Sequence, residues 1–179
     1  MTMMMSRAYT PTPPKVVLGI DPGTSRMGFG VISAGRELEL IASGIVSTSP
    51  GLSVPMRLKE IHEQLTLLIK THRPDAIGVE DLFFTKNQKT AVDVAAARGI
   101  ALLVGAQAHI PTFIFTPPQI KQAVAGWGSA DKKQVQHMVK LLLRLAAPPT
   151  PDDVADALAV AICCAQSLPM LSLQPDENS

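Results

Sequence analysis

The chain is 179 residues long, enough for one domain with a substantial core and too short for two ordinary catalytic domains. Its 46% hydrophobic and 17% charged content excludes a disordered protein, and 12 Gly with 15 Pro in no repeating period excludes a collagen-like one. A net charge of +1 argues neither for nor against a nucleic-acid partner, so the placement of the charges has to decide.

Residues 1–14 mix Met, Thr and Pro ahead of any periodic pattern and are expected to form a disordered leader without the apolar stretch of a secretory signal. KVVLGID at 15–21 is an apolar, β-branched run closed by Pro22-Gly23, which reads as a buried strand. Strand-like runs at 28–33 and 38–47 are joined through Ala34-Gly35-Arg36, short enough for an antiparallel hairpin, so the sheet opens as three meandering strands. Beyond Ser49-Pro50-Gly51, the spacing of Met56, Leu58, Ile61, Leu65, Leu68 and Ile69 predicts an amphipathic helix ending near His72. DAIGVED at 75–81 is a second buried strand, 89–109 an Ala-rich helix, and 112–116 a further strand. A short helix follows Pro117, then a glycine turn at 126–128, a helix over about 130–145, a Pro-rich break at 148–151 and a last helix to about 168, with 169–179 as a loose tail. This order predicts an α/β domain over 15–168, a mixed central sheet with three antiparallel opening strands and helices on both faces.

Pro111, Pro117 and Pro169 break the later apolar stretches before they reach membrane-spanning length, so no membrane association is expected. The two cysteines, Cys163 and Cys164, are neighbours and cannot staple distant segments or form a CxxC pair; they read as reduced core thiols of a cytoplasmic protein.

Acidic residues stand where a core is expected. Asp21 ends the first strand, Glu80 ends the fourth after Ile77-Gly78-Val79, and Asp153 with Asp156 opens the last helix. Carboxylates at buried strand ends are costly unless paired or metal-bound, and no adjacent Lys or Arg supplies an obvious partner. Asp153 and Asp156 share a helix face near its positive N-terminus. If the strands carrying Asp21 and Glu80 are neighbours, the four would offer hard oxygen ligands of the kind Mg²⁺ and Mn²⁺ prefer. Each also has a local reading: Asp21-Pro22-Gly23 as a turn, Asp153 as a helix cap, Glu80 as a solvent-facing strand end.

GIDPGTSRMGFGVI at 19–32, VEDLFFTKN at 79–87, RGIALLV at 98–104, KQAVAGWGSADKKQVQHMV at 121–139 and DDVADALAVAI at 152–162 resemble, in order and over nearly all of 15–167, the RuvC family of bacterial Holliday-junction resolvases. The resemblance implies an RNase H-like fold, a homodimer, and endonuclease action on four-way DNA junctions. It implies an acidic metal site of Asp21, Glu80, Asp153 and Asp156 holding two Mg²⁺, with Mn²⁺ able to substitute. Two ions about 4 Å apart would bracket the scissile phosphate and leave a 5′ phosphate and a 3′ hydroxyl. In this reading Asp21 bridges both ions. Contact with the RuvA and RuvB branch-migration proteins is implied by the family alone.

DNA contacts are expected from Lys121, Ser129, Lys132 and Lys133, the last three around a glycine turn whose backbone N–H groups suit phosphate. Phe83 beside Lys86 is the expected base-contacting aromatic on the loop after Glu80, with Phe84 left open. Trp127 has two readings, a DNA contact or the loop plug more common for a Trp between glycines. Arg98 is expected to be structural or dimer-forming, and the small residues of 89–109 to form the self-association surface unless they pack on their own sheet. Rival functions are an RNase H-like nuclease acting on another branched DNA or on ribosomal RNA precursor, a noncatalytic junction-binding module, and an ATP-binding protein with DPGTS around phosphate. The last needs a second lobe for which 179 residues leave no room.

Overall fold

Side-chain alternation along the first apolar run decides which way its acidic end points. In β1 (Lys15–Asp21) of the computed structural model, which describes residues 13–81 and 88–171, Leu18 and Ile20 enter one hydrophobic cluster while Val17 enters the other. The two-residue period of a strand then sets Gly19 and Asp21 on Val17's face. β2 (Arg26–Ala34) pairs antiparallel with β1 and with β3 (Leu38–Ser47), with a bulge between Val31 and Ile32. It begins two residues earlier than its apolar pattern predicts, because Arg26 and Met27 already pair with Ser47 and Val46.

Helix α1 (Val54–His72) buries Ile61, Leu65 and Ile69 and stops where Arg73 turns left-handed and returns its N–H to the Ile69 carbonyl. β4 (Ala76–Glu80) adds parallel to β1, α2 (Gln88–Gln107) follows, and β5 (Thr112–Phe115) adds parallel to β4. The strand order β3-β2-β1-β4-β5 therefore sets an antiparallel meander on one side of β1 and a parallel pair on the other. Helices α1 and α2 cover the face carrying Leu18, Ile20, Met27, Ile77 and Val79.

The opposite face is covered by α3 (Pro117–Ala125), α4 (Lys132–Leu142) and α5 (Asp152–Leu171). Helix α4 is shorter than its apolar pattern predicts at both ends. Asp131 caps it in a reciprocal box with Gln134, and Arg144, at a φ of 53°, turns the chain away after Leu143. Helix α5 is longer than expected: it continues past Pro169 into the segment expected to be loose. Among the described residues no helix is long and apolar enough to cross a membrane.

Glycines decide how close α5 comes to the sheet. Gly30, Gly19 and Gly78 lie in register across β2, β1 and β4. A side-chain carbon at Gly19 would stand 2.2 Å from the Ala157 carbonyl oxygen, and one at Gly78 2.8 Å from Cys164 Cβ. No larger residue fits this groove without pushing the helix out. Buried Ala157 and Ala161 complete the contact from the helix side. Cys163 and Cys164 are free thiols buried in the same layer, as expected.

Candidate active site

The register that pairs Ile20 with Val79 brings Asp21 and Glu80 side by side at the ends of adjacent parallel strands. Ala76, Gly78 and Glu80 share the face of Val17, Gly19 and Asp21, and it is the face α5 covers. The first turns of α5 therefore deliver Asp153 and Asp156 to the same place. The four carboxylates feel one another: burial, followed by the charges of Glu80 and Asp156, pushes the Asp21 carboxyl up to about 8. Hydrogen bonding between the Asp21 and Glu80 carboxyls raises Asp21 further and lowers Glu80. Glu80 is itself raised by burial, against the lowering effects of that hydrogen bond and of the Lys132 and Lys121 charges. Burial likewise raises Asp156, against the hydrogen bond from Lys132.

No adjacent Lys or Arg partners the α5 acids, but two cations distant in sequence engage them. Arg26, at the head of β2, reaches Asp153 at 2.9 Å. The Lys132 ammonium bridges Asp152 and Asp156, each at 3.1 Å, and Gln136 donates to Asp152. Arg26 shares the parity of Gly28 and Gly30 and so the face of α5, a signal readable only once that face is known. Asp81, next to Glu80, is held by Arg98 of α2 and donates its N–H to the Phe115 carbonyl, which makes Arg98 a structural anchor of the β4 end.

Among the described residues no three Asp, Glu, His or Cys side chains already stand as a closed metal cage. The chemistry of the donor set nonetheless fits a divalent cation. Three of the four carboxyls are raised above their ordinary range by burial and mutual charge, a condition that a bound cation relieves and Lys132 relieves only in part. Asp21, Glu80, Asp153 and Asp156 are the residues that could hold it.

The expected DNA contacts divide. Lys121 and Lys132 are brought to the acids, close enough for both charges to act on Glu80. Ser129 lies exposed on the segment leading into α4, and Lys133 lies exposed in the first turn of that helix. At that helix start the Asp131 carboxylate accepts the Gln134 N–H, and Gly126 serves as the left-handed end of α3. Trp127 does not plug the loop, since it is 50% exposed. Phe83, Phe84 and Lys86 lie outside the described residues.

Residues 17–164 match the family model described as crossover junction endodeoxyribonuclease RuvC. The chain is 50% identical over 158 residues to the RuvC of Brevibacillus brevis, covering 88% of this chain and 95% of that one. It is 53% identical over 152 residues to the RuvC of Desulforamulus reducens, covering 84% and 93%. Among solved structures it is similar to Thermus thermophilus RuvC in complex with Holliday junction substrate, at a TM-score of 0.83 and 36% identity over 88% of this chain and 97% of that one. The mixed sheet with helices on both faces is thus the RNase H-like fold of these resolvases, and the chain belongs to the RuvC family of crossover junction endodeoxyribonucleases.

Proposed function

We propose that the protein resolves Holliday junctions in DNA recombination and repair, hydrolysing one phosphodiester in each of two strands of like polarity to leave 5′ phosphates and 3′ hydroxyls. The observation that carries this reading is the meeting of Asp21 and Glu80 with the α5 acids, in a chain half identical to crossover junction endodeoxyribonucleases over most of its length. Asp21, Glu80, Asp153 and Asp156 hold the divalent ions, two Mg²⁺ with Mn²⁺ able to substitute. When bound, these ions supply the Lewis acidity that phosphodiester hydrolysis needs.

The chain's own groups do the rest. Asp21, central in the cluster, gives up the proton it shares with Glu80 so that both carboxylates can act as ligands. Lys132 holds Asp156 in place and turns its ammonium to the DNA backbone once that carboxylate is engaged elsewhere. Lys121 adds positive charge on the Glu80 side, while Ser129 and Lys133 receive the strand beyond. Phe83 contacts bases at the junction, and Lys86 adds a cation for DNA binding on the same segment of sequence.

Paired incision calls for two sites related by a two-fold axis. Ala97 and Ala101 of α2 are buried against the chain's own sheet, whereas Val92, Ala95, Gly99, Leu103 and Ala106 form an exposed, uncharged stripe along the same helix. That stripe is the self-association surface of a homodimer. The protein works in the cytoplasm with the RuvA and RuvB branch-migration proteins.

The test compares a four-way junction with a linear duplex in Mg²⁺, for the parent protein and Asp21→Asn. The expected outcome is symmetric nicking of the junction by the parent and binding without incision by the variant. Equal cutting of both DNAs by the parent would overturn the reading.

A further inference from the structure

Helices α3 and α4 are joined by a short segment, and its single aromatic residue is the only tryptophan of the chain. Gly126 ends α3 at a φ of 86° and gives its N–H to the Gln122 carbonyl, while the Gln122 side chain donates to the Gly126 carbonyl at 2.7 Å. Both ends of that turn are thereby fixed. Ala130 is buried and donates its N–H to the Trp127 carbonyl, and Asp131 locks the start of α4. The backbone that carries Trp127 is therefore held, while its indole is 50% exposed.

Exposure here is not for want of an apolar place to go. A cleft of about 440 Å³ runs beside the segment, lined by Phe115, Pro118, Gln122, Ala123, Gly128 and Cys163 among others. Gly128 lines it; Trp127 does not. A single exposed hydrophobic residue is ordinary on a protein surface, so position has to carry the argument. Trp127 stands six residues after Lys121 and five before Lys132, whose ammonium sits 3.1 Å from Asp156 in the carboxylate cluster. Five residues of chain span at most about 18 Å between Cα atoms, so the backbone of Trp127 stays in the neighbourhood of a strand laid across that cluster. Cations on either side of it in the chain that draw in phosphate, with an exposed aromatic face on a held backbone, make up a platform for an unstacked base.

We propose that Trp127 stacks on a base freed from pairing at the branch of the DNA, and so adds to the preference for branched over linear duplex. This rests on the junction-cutting reading above and extends it to a residue outside the acidic site. Linear duplex presents no free base face and gains nothing from the indole.

Because no other tryptophan is present, its emission reports on this contact directly. Full-length protein is titrated with a four-way junction and with linear duplex, without divalent metal so that nothing is cut. Binding is followed separately by the anisotropy of labelled DNA. The junction is expected to quench and shift the indole emission in step with its binding, and the duplex to leave it unchanged. Trp127→Ala is expected to weaken junction binding roughly tenfold, the worth of one stacked base, and Trp127→Phe to retain affinity within about threefold. An emission that stays constant while anisotropy shows the junction bound would overturn the proposal, as would the same quenching by duplex or parent-like junction binding by Trp127→Ala. Absence of junction binding by anisotropy would instead reject the resolvase reading, and this proposal with it.

Discussion

The backbone of Gly28 in β2 lies so close to Asp153 in α5 that a side-chain carbon at Gly28 would stand 1.9 Å from the Asp153 carbonyl oxygen. Gly28 is also the residue opposite Asp21 in the β1–β2 pairing. A single strand position thus sets the distance between the acid that ends β1 and the acid that opens α5. Backbone, unlike the tip of a flexible side chain, cannot step aside locally.

Gly28→Ala is accordingly expected to lower stability by at least about 1–3 kcal/mol, the usual cost of overpacking. It is also expected to abolish most incision by tilting the start of α5 away from Asp21. Urea unfolding checks the first effect and junction cleavage the second. Retention of both parent stability and parent activity would show that α5 can relax without losing the site.

The two thiols of α5 offer a separate check on how tightly that helix is seated. Burial pushes Cys163 up to about 11 and Cys164 up to about 12, so neither holds appreciable thiolate at neutral pH. A disulfide reagent added to native protein near pH 8 is expected to leave both unmodified over minutes, and in denaturant to titrate both at once. Rapid native modification would mean that the helix opens far more readily than its packing implies.

Much of this arrangement was legible in the residues, for identifiable reasons. KVVLGID and DAIGVED each place an acid at the end of an apolar run, and the spacing of Asp153 and Asp156 sets them on one helix face, so the members of the acidic cluster were visible locally. The cations were not. Arg26 precedes Asp153 by more than a hundred residues, and their meeting depends on which face of β2 the helix α5 covers, which only the stripe of Gly28, Gly30, Gly19 and Gly78 reveals. The capping box at the start of α4 was written locally but not read: Asp131 and Gln134 carry it in their spacing, and together they satisfy the Asp131 and Gln134 N–H groups.

Protonation should couple directly to metal binding. Asp21 is raised from 3.8 to about 8 in the folded chain, so between these values the folded state holds a proton that the unfolded state has released. The stability that this group supports is therefore greatest below about pH 4 and falls as pH rises toward about 8 in metal-free protein. Glu80 and Asp156, raised in the same direction, add to the trend. A divalent ion binds the deprotonated set, so its affinity should climb over the same interval and the melting temperature gained on adding Mg²⁺ should be larger at pH 8.5 than at pH 6. Melting curves across that range check this; a gain independent of pH would place the ion away from Asp21.

Lys132 stands between the two kinds of charge at this site, and removing it separates its two roles. Its ammonium lowers the tendency of Glu80 and Asp156 to keep protons, so Lys132→Met should leave both acids protonated to higher pH. The pH dependence of Mg²⁺ binding, measured without DNA, should shift upward accordingly. Loss of one phosphate contact should also reduce the salt dependence of junction binding by about one unit of slope, at matched pH. The two readouts are independent, because the first needs no DNA and the second no metal. A variant with an altered pH profile and an unchanged salt slope would confine Lys132 to holding Asp152 and Asp156. The reverse result would make it a DNA-backbone contact whose pairing with the acids has no bearing on their protons.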